Sequence, residues 1–221
     1  MLSKDDLQLY FILGSEQCPT TSPLDVLQQA IRGGVTCFQF REKNTAYSVR
    51  DTLTLGKALR AECRRAGIPF IVNDDVELAL LLNADGVHVG QSDTPAKEAR
   101  KRIGDKMSLG VSAHTVAEAE RAITDGADYL GVGPVFPTKT KQDAKEPLTP
   151  VGLERFIAQL PRSVPIVAIG GITAANASEV IRTGVCGVSV ISAIAAQADP
   201  ERAAATLRHT IVSAQGEIPH A

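Results

Sequence analysis

The 221-residue chain has no tryptophan, and aromatic residues make up only 4% of it. Stacking platforms for single-stranded nucleic acid are built from such rings. A formal charge of -2 at pH 7 also supplies no general basic field for a phosphate backbone. Nucleic acid is therefore not an expected partner, and any anion binding has to be local. No apolar run approaches the ~18 residues of a membrane span. Acidic residues precede the first apolar run in MLSKDDLQLY, so a cytoplasmic location without membrane contact is expected. The four cysteines, Cys18, Cys37, Cys63 and Cys186, form no CxxC pair. That argues against a zinc site or a disulfide framework and leaves them as packing residues. Cys37 begins the strand that carries Arg41 but has no histidine near it in sequence to activate a thiolate.

With 44% apolar and 22% charged residues the chain can bury a full core. Short β-branched runs are expected as strands near 7–14, 37–41, 69–73, 86–89, 108–112, 129–133, 166–170 and 187–191. Helical stretches separate them. Ser22-Pro23, Thr94-Pro95 and Thr149-Pro150 each offer a capping hydroxyl before a first-turn proline. Gly33, Gly67, Gly104, Gly126 and Gly184 each stand where a helix would close before the next strand. Eight such βα units predict an α/β fold, a single compact (β/α)8 TIM barrel over 1–221, with 213–221 expected to fray. In that fold the strand C-termini and the loops after them carry the chemistry.

Alternation along the second strand sets Gln39, Arg41 and Lys43 on one face and Phe38 and Phe40 on the other. Cations on an inward face call for an anion, here one of roughly two to three negative charges. Asn73-Asp74-Asp75 ends strand three, and Asp93 follows strand four. Asp75 reads as a helix cap. Asp74 and Asp93, from adjacent loops, form the sparse oxygen-only set typical of one Mg2+ that fills its shell with water and substrate phosphate.

Strand five ends at Ser112, a candidate hydrogen-bond donor. After it Thr115 and Glu118 make a capping box, and His114 reads as a spacer or a general base. His88, inside strand four, reads as a satisfied core or helix-facing residue. The connection after strand six, GPVFPTKTKQDAKEPLT, exceeds the usual βα length of about 2 to 6 residues. It is expected to be a lid bringing Thr138, Lys139, Thr140 and Lys141 to an anion, with Gly131 and Gly133 leaving room for a flat ring. Gly170-Gly171 after strand seven and Ile191-Ser192 after strand eight stand where many barrels bind a phosphomonoester.

From LQLYFILG to GVSVISAI the chain resembles the thiamine-phosphate synthase family, through QFREK, NDD, GVHVGQSD, GVSAHT, GPVFPTKTK and IGGI in order. The resemblance implies a transferase that joins hydroxymethylpyrimidine diphosphate to hydroxyethylthiazole phosphate, with thiamine monophosphate and pyrophosphate as products. It implies that Gln39, Arg41, Lys43, Asn73, Ser112 and Lys141 hold the pyrimidine diphosphate, with Arg41, Lys43, Ser112 and Lys141 acting in catalysis. By the same resemblance Asp74 and Asp93 hold Mg2+, while Thr138, Lys139, Thr140, Gly171, Ile191 and Ser192 hold the thiazole phosphate. The substitution is understood as dissociative, so no protein nucleophile is required. Two alternatives are a thiazole tautomerase of the same family, for which His114 would matter, and a non-catalytic phosphate-ligand sensor. Partners are expected to be small molecules, and the sequence is compatible with a homo-oligomer. Ala113, Lys145 and Glu146 depart from the common family pattern.

Overall fold

The computed structural model describes residues 2–43, 47–138, 145–161 and 164–217. Strands β1 (Leu9–Leu13), β2 (Cys37–Phe40), β3 (Phe70–Asn73), β4 (Gly86–Val89), β5 (Ser108–Ala113), β6 (Tyr129–Val132), β7 (Ile166–Ile169) and β8 (Gly187–Val190) pair in parallel in sequence order. Pairing of β8 with β1 closes the barrel, as the eight apolar runs predicted. Helices α1 (Pro23–Arg32), α2 (Val49–Ala66), α3 (Val76–Leu81), α4 (Ala96–Ile103), α5 (Val116–Thr124), α6 (Thr149–Ala158), α7 (Ala177–Ile181), α8 (Ser192–Ala195) and α9 (Pro200–Gly216) lie between and after the strands. No helix among the described residues is long and apolar enough to cross a membrane.

Alternation divides the apolar residues into two cores. Phe11, Phe38, Phe40, Phe70, Val72, Val87 and their neighbours face outward and pack under the helices. The inner cluster is small: Leu7, Tyr10, Ile12, Cys37, Ile71, Tyr129 and Val167. A barrel interior is ordinarily packed with branched apolar side chains. This one turns polar toward the C-terminal rim, and that is where the cavity begins.

Local signals hold with three adjustments. Ser22 caps α1 by accepting from the Asp25 amide, Asp75 caps α3 from the Leu78 amide, and Thr115 with Glu118 closes the expected box on α5. Thr149 Oγ1 accepts from the Gly152 amide at 3.3 Å. Thr94, however, caps nothing: α4 begins after Pro95, which stands at its N-cap without a side-chain bond. At the end of α1 the left-handed residue is Gly34 (φ 97), not Gly33 (φ -75), because the helix runs one residue further before the chain turns. Nor do 213–217 fray. Ala214 is buried, Gln215 donates to the Cys186 carbonyl at 3.1 Å, and Glu217 pairs with Arg182 at 2.8 Å.

Candidate active site

A cavity of about 820 Å³ opens at the C-terminal rim, and its two sides differ in kind. On the β2–β4 side it is lined by Gln39, Arg41, Lys43, Asn73, Asp74 and Asp93. The alternation read from β2 is the observed one, with Phe38 and Phe40 buried outward. Lys43 ion-pairs with Asp74 and lies 3.4 Å from Asp93 Oδ1, so one ammonium sits between two carboxylates. Asp74 adopts φ 62, a left-handed conformation that Asp tolerates better than most side chains, and its amide continues the ladder to the His88 carbonyl at 2.8 Å. Asp93 folds back on its own turn and accepts from the Gly90 amide at 2.7 Å.

The electrostatics follow from this crowding. Burial raises Asp74, and neighbouring Asp93 raises it further against the pull of Lys43, to about 6. Asp93 goes the other way: burial would raise it, but Asp74, the Gly90 amide and Lys43 together hold it below the usual carboxylate value. Burial would lower Lys43, yet the two carboxylates outweigh it and the net direction is up. Two acids crowded around one ammonium thus drive each other's proton affinities apart, Asp74 up and Asp93 down.

The floor of the cavity is a continuous hydrogen-bond chain across the barrel. Gln39 Nε2 donates to Tyr10 Oη at 2.8 Å, Tyr10 and Tyr129 hydroxyls meet at 2.9 Å, Tyr129 Oη lies 3.2 Å from His88 Nδ1, and His88 Nε2 lies 2.9 Å from Ser112 Oγ. His88 is therefore inward-facing and not helix-facing. Gly131 lines the cavity, and a Cβ there would stand 3.1 Å from His88 Cε1, so the bare backbone also leaves room for that ring. Gly133 also lines the cavity, and a Cβ there would stand 2.2 Å from the Ile169 carbonyl, so the backbone runs close against β7. His114 Nδ1 lies 3.1 Å from the Gly133 carbonyl, which makes it a bridge between neighbouring loops.

On the β7–β8 side the lining is nearly neutral: Gly170, Gly171, Thr173, Ile191, Ser192 and, from the β6 connection, Thr138. Gly170 (φ 89) and Gly171 (φ 68) turn the chain so that Phe136 N reaches the Gly170 carbonyl at 3.1 Å. Lys139, Thr140 and Lys141 lie outside the described residues. The far end of that connection is tied down, with Lys145 Nζ 2.9 Å from Glu118 Oε1.

A family profile described as thiamine monophosphate synthase matches residues 9–194. The chain belongs to that family. A thiamine-phosphate synthase of Geobacillus kaustophilus is 54% identical over 213 residues, which cover 96% of this chain and 95% of that protein. One of Geobacillus thermodenitrificans is 53% identical over 205 residues, covering 92% and 91%. The structure of a thiamine phosphate pyrophosphorylase from Pyrococcus furiosus, 35% identical, superposes with a TM-score of 0.85 over 96% of this chain and 98% of that one. The resemblance carried by the six motifs is thereby borne out, and the chain is an enzyme, a transferase.

Within this thiamine monophosphate synthase family member the structure adds residues that the sequence reading passed over. Tyr10 and Tyr129, whose alternation alone reads as core, are members of the polar floor. Glu42, between Arg41 and Lys43, accepts from Ser15 N at 2.5 Å and Ser15 Oγ at 2.8 Å. It therefore fastens the β2 loop to the β1 loop and fixes the stem from which both cations project. An acid wedged between two inward cations was the one available hint. Cys37 and Cys63 are fully buried, and burial pushes both thiols well up, so neither offers a thiolate.

Proposed function

We propose that this enzyme condenses hydroxymethylpyrimidine diphosphate with hydroxyethylthiazole phosphate to give thiamine monophosphate and pyrophosphate. The observation that carries the reading is the two-sided mouth: Arg41, Lys43 and an acid pair on one side, glycine backbone and hydroxyls on the other. A diphosphate with a metal suits the first side and a monophosphate suits the second. Family membership supports the same pairing of substrates.

In this reading the bond between the pyrimidine methylene carbon and the diphosphate oxygen breaks, its electron pair leaving with pyrophosphate. The lone pair of the thiazole nitrogen then forms the new carbon–nitrogen bond. Arg41, Lys43 and, from outside the described residues, Lys141 neutralise charge on the departing diphosphate, and Ser112 supplies a donor. Thr138, Lys139, Thr140, Gly171, Ile191 and Ser192 hold the thiazole phosphate. Removing one preorganised donor of this kind raises a barrier by about 3 kcal/mol, so Lys141→Ala should slow chemistry about a hundredfold in single turnover.

Asp74 and Asp93 fit one Mg2+. They are oxygen ligands from adjacent loops, and Lys43 already stands between them as a cation. Among the described residues no third acid, histidine or cysteine joins them, so water and diphosphate oxygens would complete the shell. Such an ion, when bound, supplies charge neutralisation to the diphosphate.

The test is to incubate both substrates with Mg2+ or with EDTA and follow thiamine monophosphate and pyrophosphate by mass spectrometry. Formation of both products with Mg2+ and neither with EDTA is expected. Thiazole phosphate binding without product would replace this reading with a tautomerase or a sensor.

A further inference from the structure

The floor of the cavity is a row of groups each of which could donate or accept, apart from the one at its head. The Gln39 amide nitrogen can only donate, and it donates to Tyr10 Oη. With that bond accepted, Tyr10 can place its single proton on Tyr129, and Tyr129 its own on His88 Nδ1, which is the arrangement that uses every hydroxyl proton of the row. An imidazole that accepts at Nδ1 carries its proton on Nε2, which is the nitrogen 2.9 Å from Ser112 Oγ. Ser112 Oγ thus receives a bond from beneath, and its own proton is left to point into the mouth. At the other end, Gln39 with its nitrogen committed presents Oε1 as an acceptor.

We propose that Tyr10, Tyr129 and His88 are positioning residues, a one-way hydrogen-bond relay that fixes Ser112 as a donor and Gln39 Oε1 as an acceptor, so that the floor selects a heterocycle offering a ring-nitrogen acceptor toward Ser112 and an N–H toward Gln39. An aminopyrimidine has both groups. A thiazole has one ring nitrogen, and the substitution requires that nitrogen unencumbered. This assignment of the ring rests on the function proposed above, whereas the polarity of the relay does not.

Two further observations support the relay. Burial pushes both tyrosine hydroxyls well above 10, so each keeps the proton that the relay needs at any working pH. A Cβ at Gly110 would stand 2.2 Å from Tyr129 Cζ and 2.4 Å from His88 Nδ1, so the backbone is cut away where those two rings meet.

The first measurement is the tautomer of His88, read from long-range 1H–15N correlations of 15N-histidine-labelled protein and assigned by contacts to the Tyr129 ring. A neutral ring protonated at Nε2 is expected. A proton on Nδ1, or on both nitrogens at pH 7.5, overturns the relay. The second measurement is Tyr129→Phe, which keeps the ring and removes only the link. Its kcat/KM for the pyrimidine diphosphate should fall about tenfold, the worth of one oriented hydrogen bond, while the KM for thiazole phosphate and the affinity for inorganic pyrophosphate with Mg2+ stay unchanged. An unchanged kcat/KM, or an equal loss of pyrophosphate affinity, refutes the specificity role. If the wild-type enzyme makes no thiamine monophosphate at all, the substrate reading fails, and the tautomer still decides the relay.

Discussion

Under the proposed function the two sides of the barrel mouth would hold an anion by opposite means. On the β2–β4 side the chain uses full charges: Arg41, and Lys43 set between Asp74 and Asp93. On the β7–β8 side it uses glycine backbone and hydroxyls, at Gly170, Gly171 and Ser192, with no ionised side chain among those residues. Charges that approach one another in a half-buried site shift one another's proton equilibria, as Asp74 at about 6 shows. Backbone dipoles carry no such penalty, but they work only if the chain can adopt the shape. The charged side should therefore respond to pH, metal and charge deletion, and the neutral side to steric change.

The largest effect is expected at the acid pair. Asp74→Asn should lower kcat/KM about a thousandfold through lost metal affinity. The same substitution should stabilise the metal-free fold. The folded pKa of Asp74, about 6, lies above its ordinary value, so the folded state binds more protons than the unfolded one across that interval. Stability is then highest at acid pH and falls as pH rises to about 6. At pH 7 a neutral Asn should restore about 1–3 kcal/mol. Thermal melts of both proteins with EDTA at pH 5 and pH 7.5 check this: the gap should widen at the higher pH, and a gap that narrows contradicts the assignment of the proton to Asp74. Next comes Arg41→Ala, expected to slow single turnover about a hundredfold with thiazole phosphate binding intact.

The neutral side should break through shape. Gly171 has φ 68, and a Cβ there would stand 2.7 Å from both Phe136 Cβ and the Pro137 carbonyl. Gly171→Ala must move the β6 connection, which carries Thr138. The KM for thiazole phosphate should rise about tenfold, while Mg2+ affinity remains as in the wild type. A matching loss in Mg2+ affinity would show that the two sides are not independent.

Strand positions, helix caps and the charged side were legible in sequence because each rests on a local rule. Alternation placed Gln39, Arg41 and Lys43 inward, and capping chemistry separated Asp75 from Asp74. The polar floor was not legible. Tyr10, Tyr129 and His88 lie on three strands, and only barrel closure brings them within hydrogen-bond distance. Gly131 and Gly133 were seen as space and do line the cavity, but the neighbours that press on them come from β4 and β7, which no local pattern names. Thr94 looked like a cap equal to Ser22, yet whether α4 starts one residue later depends on packing.

The smallest effect separates the two sides most sharply. Ser192 is exposed and begins α8, a helix of four residues, so its hydroxyl can contribute one neutral hydrogen bond in contact with water. Such a bond is worth about 0.5–1 kcal/mol. Ser192→Ala should therefore raise the KM for thiazole phosphate only about threefold. With no ionised side chain in that lining, the ratio of mutant to wild-type KM should be the same at pH 7 and pH 9, and the same in low and high salt. Lys43→Met offers the contrast, because deleting an ammonium that two carboxylates share should give a ratio that falls as salt rises. A salt-dependent ratio for Ser192→Ala would mean that a charge from the β6 connection reaches the neutral side, with Lys145, which lines the same cavity, and Lys139 and Lys141 the first to test.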